Sequence, residues 1–316
     1  MAGIIPPGRL VYGMQLPIQS QSPIYAEPWE ASAGAAELAE VARHCDAAGF
    51  FYVAVCDHVA IPKPSDEKMS TSWWDTLTTL GWLAGITERV HLLSHVYVLP
   101  YRHPLMTAKG FSTLDALSGG RAVLGVGAGH VEAEFDLLGA DFAGRGAVLD
   151  DALDVVRAAF LDEYPKVETA TWAVADAGLR PRPVRPGGPP IWVGGSSRPA
   201  IRRAATKGDG WLPQGPPPDG MRAAIARIHD LRAEAGRADE AFDLGINPEP
   251  IHLGEPGWNV GKHTLTGAPE PIAERLRAYG QLGANQLQVR FRSRSVTELC
   301  DQIDAFGAEV APLLND

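Results

Sequence analysis

The sequence lacks long apolar runs and is poor in cysteine, and both deficits narrow the classes of protein that it can encode. No uncharged apolar stretch approaches ~18 residues, the length that a transmembrane helix needs. The three cysteines, Cys45, Cys56 and Cys300, are far apart among 316 residues. That spacing fits neither a disulfide framework nor a zinc site. Because Met1–Pro7 has neither the basic region nor the apolar core of a signal peptide, we expect a cytoplasmic protein.

Positive charge and familiar hydrolase motifs are scarce as well. Lys plus Arg is 28 and Asp plus Glu is 38, and the resulting net charge of −10 is spread along the chain. This balance argues against nucleic acid or an anionic membrane as a partner. The sequence contains no Gly-x-Ser-x-Gly, His-x-His or His-Glu-x-x-His pattern, so we expect neither a common serine hydrolase nor a metal site. With 45% hydrophobic and 21% charged residues, the composition is that of an ordinary globular enzyme.

Segments typical of strands alternate with segments typical of helices along the chain. The predicted strands are Leu10–Leu16, Phe50–Cys56, Val90–Leu99, Ala122–Gly127, Ile191–Val193, Gly210–Leu212, Phe242–Ile246 and Gln286–Phe291. The predicted helices are Ala33–Ala48, Asp75–Ile86, Pro104–Leu117, Ala147–Leu161, Pro199–Thr206, Asp219–Glu234, Pro269–Leu282 and Val296–Phe306. Eight parallel βα units favour a single (β/α)₈ TIM barrel over residues 1–316, with a doubly wound sheet as the alternative. The strand-to-helix loops carry insertions, the longest at Ala60–Trp74 and Glu163–Pro190.

The clearest binding signal is the turn after the fifth predicted strand, Gly194-Gly195-Ser196-Ser197. In a barrel the active site lies at the carboxyl ends of the strands. Glycines before a helix N-terminus leave backbone N–H groups free to bind an anion such as phosphate. The neighbouring Arg198 and Arg202 could add positive charge. The alternative interpretation is a plain turn with a serine cap.

A second glycine-rich turn, Gly125–Gly129, follows the fourth predicted strand. Because His130 stands where a third glycine would complete a dinucleotide fingerprint, the match to that motif is weak. The glycines could let a flat ring or a diphosphate-like group approach the strand end, or they could serve tight backbone packing alone.

Histidines at strand ends are the candidate proton-transfer groups. His58 follows Asp57 at the end of the second predicted strand, where an imidazole can act as a general acid or base. The alternative is a structural hydrogen-bonding pair. His130, with Glu132 and Glu134 close by, is a second candidate.

Two adjacent tryptophans, Trp73 and Trp74, end the long loop after the second predicted strand. They cannot both face one way, so one of them could cover a pocket. The alternative is that both belong to the packed core.

Several motifs, in the same order, resemble the bacterial luciferase-like monooxygenase superfamily, and within it the branch that uses the deazaflavin coenzyme F420. The resemblance spans about residues 10–212 and rests on Cys56–His58, Leu99–Pro104, Gly119–Gly129 with Glu134-Phe135, Phe142–Gly146 and Pro190–Ser196. It implies a (β/α)₈ barrel that binds coenzyme F420, or alternatively FMN, at the strand ends. It also implies a homodimer.

The same resemblance implies roles for individual residues. Asp57 is expected to contact the coenzyme, and His58, or else His130, to donate or accept a proton. A non-prolyl cis peptide at His95–Val96 is expected to back the ring. The expected phosphate clamp is Gly194, Gly195 and Ser196, joined by Ser197, with the coenzyme side chain along Ala128 and Gly129. Apart from the resemblance, we expect Trp73 and Trp74 to border the substrate pocket.

The expected reaction is hydride transfer between the deazaflavin C5 and a small organic substrate. An FMN-dependent monooxygenase that uses oxygen is the first alternative, and a barrel that only binds a ligand is another. A sugar-phosphate dehydrogenase branch of the family has Glu at the position of His130, so its substrate is not carried over to this chain.

Overall fold

Eight parallel strands close into a barrel, which confirms the predicted fold. The computed structural model describes residues 3–315, so the first two residues and the last of the predicted 1–316 domain lie outside it. Its strands are β1 Val11–Gln15, β2 Tyr52–Val55, β3 His91–Ser94, β4 Tyr97–Val98, β5 Ala122–Gly127, β6 Val167–Glu168, β7 Ala173–Val174, β8 Ile191–Gly194, β9 Gly210–Leu212, β10 Asp243–Ile246, β11 Ile251–Leu253, β12 Leu265–Gly267 and β13 Gln286–Gln288. The barrel runs β1-β2-β3-β5-β8-β9-β10-β13 and back to β1, with β3 paired to β5.

Helices surround the barrel and follow its strands. They are α1 Ala35–Ala47, α2 Asp66–Met69, α3 Thr76–Ala84, α4 Pro104–Ser118, α5 Glu132–Leu138, α6 Arg145–Leu161, α7 Arg198–Lys207, α8 Met221–Glu234, α9 Pro269–Gly280 and α10 Val296–Ala305. Short 3-10 turns lie at Pro28–Ser32, Leu99–Tyr101 and Ala311–Leu314, and a π-helical turn at Phe306–Val310. In the part of the chain that the structure describes, no helix is both long and apolar enough to cross a membrane.

Side chains alternate between two cores along the barrel strands. On β2, Tyr52 and Ala54 point into a small core inside the barrel, whereas Val53 and Val55 belong to the large core between barrel and helices. Because a strand presents successive side chains to opposite faces, a strand covered on both faces is apolar throughout. That is why these short runs are recognisable as strands in the sequence.

Several elements at the mouth of the barrel differ from the sequence predictions. The predicted strand Val90–Leu99 is interrupted after β3, because the chain turns through a cis peptide at His95–Val96 before β4. The strand predicted over Gln286–Phe291 ends at Gln288. The short helix α5 and the β6–β7 hairpin were not predicted, and the strand β11 pairs with β12 outside the barrel.

Candidate active site at the barrel mouth

A cavity of about 1180 Å³ lies at the carboxyl ends of the barrel strands. Most of the residues singled out from the sequence meet in its wall, including Asp57, His58, Trp73, His95, Val96, Ala128, Gly129, His130 and Gly194–Ser197. These residues come from β2, β3, β5 and β8 and from the loops that follow them. The parallel topology brings these distant stretches together, because all strand carboxyl ends meet at one rim.

The turn predicted to bind phosphate opens α7 as expected. The Ser197 side chain caps the helix by accepting the Ala200 N–H, and the Ser196 hydroxyl donates to the Gly215 carbonyl at 2.7 Å. The backbone N–H groups of Ser196, Ser197 and Arg198 have no hydrogen-bond partner among residues 3–315. Three free N–H groups at a helix N-terminus suit an anion, whereas the two serine side chains are already engaged in holding the turn.

The arginines expected beside this turn are not the ones that face the cavity. Arg198 pairs with Asp219 and Arg202 with Asp150, and neither lines the cavity. Arg145, at the start of α6, lines it instead and donates to the carbonyls of Gly129 and Phe142. Among residues 3–315 the Arg145 side chain contacts only carbonyls and the Phe142 ring, with no carboxylate partner, so its charge is available at this end of the cavity.

The glycines of the β5 turn are explained by packing. A Cβ on Gly125 would meet the Ser94 carbonyl oxygen, one on Gly127 would lie 2.5 Å from a Val96 methyl, and one on Gly129 would lie 2.7 Å from the Phe135 ring. Tight packing thus accounts for all three glycines, and the approach of a ligand to Gly127 and Gly129, which line the cavity, stays a prediction. Ala128 and Gly129 nevertheless remain part of the cavity wall.

Val96 is held between two strand-end glycines. A Cβ on Gly194 would collide with one Val96 methyl, just as a Cβ on Gly127 would collide with the other. The cis peptide lies at His95–Val96, the position expected from the family resemblance. These contacts set Val96 in the cavity wall.

His58 is oriented by a buried carboxylate that lies 76 positions further along the chain. Its Nδ1 lies 2.8 Å from Glu134 Oε2, and the two side chains are 9% and 0% exposed. Glu134 also accepts the Tyr101 hydroxyl at 2.8 Å and the backbone N–H groups of Val59 and Ala60. Burial raises the pKa of Glu134, but the hydrogen bonds from His58 and Tyr101 outweigh it and hold that pKa at about 2.

The ionised state of Glu134 fixes the tautomer of His58. An ionised carboxylate only accepts hydrogen bonds, so the imidazole must carry a proton on Nδ1. Its other nitrogen, Nε2, has no hydrogen-bond partner within residues 3–315, while the ring lines the cavity. A histidine held in this way has one nitrogen free for proton transfer.

The remaining candidates lie at different distances from this pair. The His130 ring centre is 5.7 Å from that of His58, and the Trp73 ring centre is 4.5 Å from it. Burial and the nearby His58 lower the pKa of His130, which favours its neutral form. Trp73 lines the cavity, whereas Trp74 packs against the hydrophobic core and is not part of the wall.

Asp57 is committed to the protein itself. Its two carboxylate oxygens each lie 2.7 Å from an Arg102 guanidinium nitrogen, and they also accept the Val98 N–H and the Thr76 hydroxyl. The carboxylate therefore fastens the β2 end to the segment around β4, a function that its sequence position alone does not reveal.

Two buried polar atoms in the cavity wall lack a protein partner among the described residues. They are Nε2 of His95 and Oε1 of Gln288. Burial lowers the pKa of His95 to about 4, so its ring is neutral near pH 7. Because buried polar groups normally find partners, these atoms suit the polar edge of a bound ring, and the free N–H groups at α7 suit a phosphate. The wall thus fits a flavin-type cofactor.

The closed barrel, with its cavity at the strand carboxyl ends, places the binding site where (β/α)₈-barrel proteins have it. The chain belongs to the luciferase-like monooxygenase family, whose family model matches residues 11–256. An uncharacterised protein of Mycobacterium tuberculosis is 32% identical over 218 residues, which cover 65% of this chain and 74% of that protein.

Solved structures share the fold at low sequence identity. The coenzyme F420-dependent tetrahydromethanopterin reductase from Methanopyrus kandleri aligns with a TM-score of 0.75 at 19% identity, over 96% of this chain and 99% of that chain. The oxygenating constituent of 3,6-diketocamphane monooxygenase from Pseudomonas putida, in complex with FMN, aligns with a TM-score of 0.70 at 15% identity, over 96% and 99%. The same barrel thus occurs in an F420-dependent enzyme and in an FMN-binding one.

Three functional candidates have no assigned role in the sequence prediction: Glu134, Arg145 and Arg290. Glu134 and Arg145 lie within motifs that carry the family resemblance, so a signal for them existed. Arg290 follows β13 and lines the cavity, and nothing in its local sequence distinguishes it from an ordinary surface arginine.

Proposed function

We propose that the chain is an F420-dependent oxidoreductase that transfers a hydride between the deazaflavin and a small organic substrate. When bound, the deazaflavin would supply or accept the hydride at its C5 position. The observation that carries the proposal is the Glu134–His58 pair, because it holds an imidazole in one tautomer at the cavity wall. Two-electron transfer to or from a carbonyl or similar group requires a proton as well, and His58 is placed to provide it.

His58 would move this proton through Nε2. Glu134 keeps Nδ1 protonated and stabilises the imidazolium when Nε2 takes up a proton, while the Tyr101 hydroxyl and the two backbone N–H groups hold Glu134 in place. His130 lies near enough to serve as a second proton-transfer group.

Separate parts of the wall would hold the coenzyme. Val96 would back the ring, and the unpaired atoms of His95 and Gln288 would face its polar edge. The N–H groups at the start of α7 would bind the phosphate, with Arg145 adding positive charge.

A second candidate is an FMN-dependent monooxygenase. The phosphate-binding end of the cavity would suit FMN as well as F420, and an FMN complex is known for the same fold in the Pseudomonas putida protein. Its reaction would use the reduced flavin and oxygen instead of a hydride exchange with the substrate.

A side-by-side titration with F420 and FMN, followed by intrinsic tryptophan fluorescence, separates the two candidates. Trp73 in the cavity wall is expected to report binding. We expect F420 to bind at least about tenfold more tightly than FMN. Preference for FMN, with oxygen consumption in the presence of reduced FMN, would replace the proposal by the second candidate. Binding of neither would refute both.

Two matched variants test the phosphate end. Arg145→Gln removes the unpaired charge in the wall, and we expect it to weaken F420 binding about tenfold. Arg202→Gln removes a half-exposed arginine of the same helix that pairs with Asp150 and does not line the cavity, and we expect no change in affinity. Equal affinity in both variants would contradict the placement of the phosphate.

The role of His58 requires a reacting substrate, found by screening carbonyl compounds for reoxidation of reduced F420. We expect His58→Ala to retain F420 affinity and to slow this reaction by about 10²- to 10⁴-fold. Unchanged turnover with bound F420 would remove the catalytic assignment of His58.

A further inference from the structure

The cavity has a second charged end, opposite the phosphate-binding turn. That turn follows β8, whereas β13 and β1 lie on the other side of the barrel, three and four strands away from β8 in the ring order. Arg290 lies two residues beyond β13 and lines the cavity there. A cofactor phosphate bound at the start of α7 is therefore too far away to pair with Arg290.

Arg290 has no ion pair or hydrogen bond from its side chain to any residue between 3 and 315. Its guanidinium carbon lies 5.6 Å from the centre of the Tyr25 ring, which leaves its N–H groups free. Two carboxylates in the same cavity wall, those of Glu27 and Glu30, take other partners. Glu27 forms an ion pair with Arg292, and Glu30 accepts the backbone N–H groups of Ile18 and Glu27.

Apolar and aromatic side chains surround this end of the cavity. Trp29, Trp73, Met69 and Phe291 line the cavity, and Tyr25, which lies next to Arg290, has 57% of its surface exposed. A guanidinium without a carboxylate partner, set beside aromatic walls, matches a ligand that has a negative charge on an apolar body. A guanidinium binds a carboxylate through two parallel hydrogen bonds, and one positive charge balances one negative charge.

We propose that Arg290 binds the carboxylate of the substrate, so that the substrate class is an organic acid with an aromatic or other apolar body. That the bound acid is a substrate rests on the proposed function, but the binding of the acid to Arg290 does not require the coenzyme. The carboxylate would anchor the molecule at the β13 side of the mouth, and its body would extend along the aromatic wall toward His58.

The test is a fluorescence titration of the protein, without F420, with 3-phenylpropionate, its uncharged amide and phenyl phosphate. We expect the acid to bind at least about tenfold more tightly than the amide, because only the acid pairs with the guanidinium. Equal affinity for acid and amide would overturn the proposal. Much tighter binding of phenyl phosphate would overturn the choice of a carboxylate and assign the site to phosphate esters.

Matched variants locate the effect. Arg290→Gln is expected to lose the preference for the acid, whereas Arg294→Gln, four residues away and paired with Glu298 outside the cavity, is expected to keep it. If Arg290→Gln fails to fold by circular dichroism, Arg290→Lys retains the charge without the planar fork and is expected to bind the acid with intermediate affinity. Full acid preference in a folded Arg290→Gln would refute the role of Arg290, and unchanged acid affinity in Arg290→Lys would refute binding through the planar guanidinium.

The F420 titration is read separately. Binding of the acid through Arg290 together with failure to bind F420 would retain the anion site and refute the proposed function. Binding of F420 without a preference for the acid would retain the proposed function and refute the anion site at Arg290.

Discussion

Substitution of Gly127 by alanine should show how tightly the cis-peptide segment is packed. The new Cβ would lie 2.5 Å from a Val96 methyl carbon, closer than two non-bonded carbon atoms can approach without repulsion. The valine segment must therefore shift, and overpacking of this kind typically destabilises by about 1–3 kcal/mol. In a Val96→Ala background the obstructing methyl is gone, and the nearest atom of residue 96 is its Cβ at 3.5 Å, an ordinary contact. We expect the second substitution to recover most of the loss.

Urea unfolding followed by far-UV circular dichroism measures the four free energies of this double-mutant cycle. The expected coupling energy is about 1–3 kcal/mol. Gly81→Ala is the control, because a Cβ at this position in α3 would meet no atom within 4 Å. A glycine-to-alanine change inside a helix should stabilise by roughly 0.5–1 kcal/mol. If Gly127→Ala destabilises equally with and without the Val96 methyls, the collision is not the cause and the reasoning is refuted.

Three further predictions concern buried charge. Asp57→Asn should lower the free energy of unfolding in urea by about 3–5 kcal/mol, because it leaves Arg102 unpaired in a buried site. Asp219→Asn, which breaks an exposed pair, should lower it by less than about 1 kcal/mol, and similar losses in the two variants would contradict this. Glu134→Gln should slow the modification of His58 by diethyl pyrocarbonate several-fold, because Nε2 of His58 would then carry the proton and could not react. Peptide mass spectrometry measures the rate, and an unchanged rate would argue against a proton on Nδ1. Burial lowers the pKa of His95 to about 4, so below pH 6.5 this histidine takes up a proton in the unfolded chain but not in the folded one, which lowers the free energy of unfolding. The loss of stability between pH 7 and pH 5 should therefore be about 2 kcal/mol smaller in His95→Gln, and parallel pH curves for the two proteins would refute this.

Much of the architecture could be predicted because its determinants are local. Strand β5 and strand β9 have the predicted bounds, and β2 lies within its predicted run, since strands buried on both faces are short continuous apolar segments. The break at His95 could not be predicted from such a pattern, because the apolar character continues through it to Leu99. Only the family resemblance indicated that position.

The candidate site was predicted in part for the same reason. A residue that follows a barrel strand must lie at the rim, so His58 and Gly194–Ser197 could be placed in the cavity from their sequence positions alone. Which partner each side chain takes depends on residues far along the chain. The Arg198 and Arg202 charges were expected near the phosphate, yet nearby carboxylates bind both, and Arg145 stands there instead.

The sequence by itself thus determined the alternation of strands and helices, the barrel and the rim on which the chemistry lies, because periodic burial is encoded residue by residue. Only the tertiary structure decided that Glu134 holds His58, that Asp57 binds Arg102 and that Arg290 has no partner from residues 3–315. Those outcomes depend on which loops meet across the barrel mouth, at sequence separations for which local pattern carries no information.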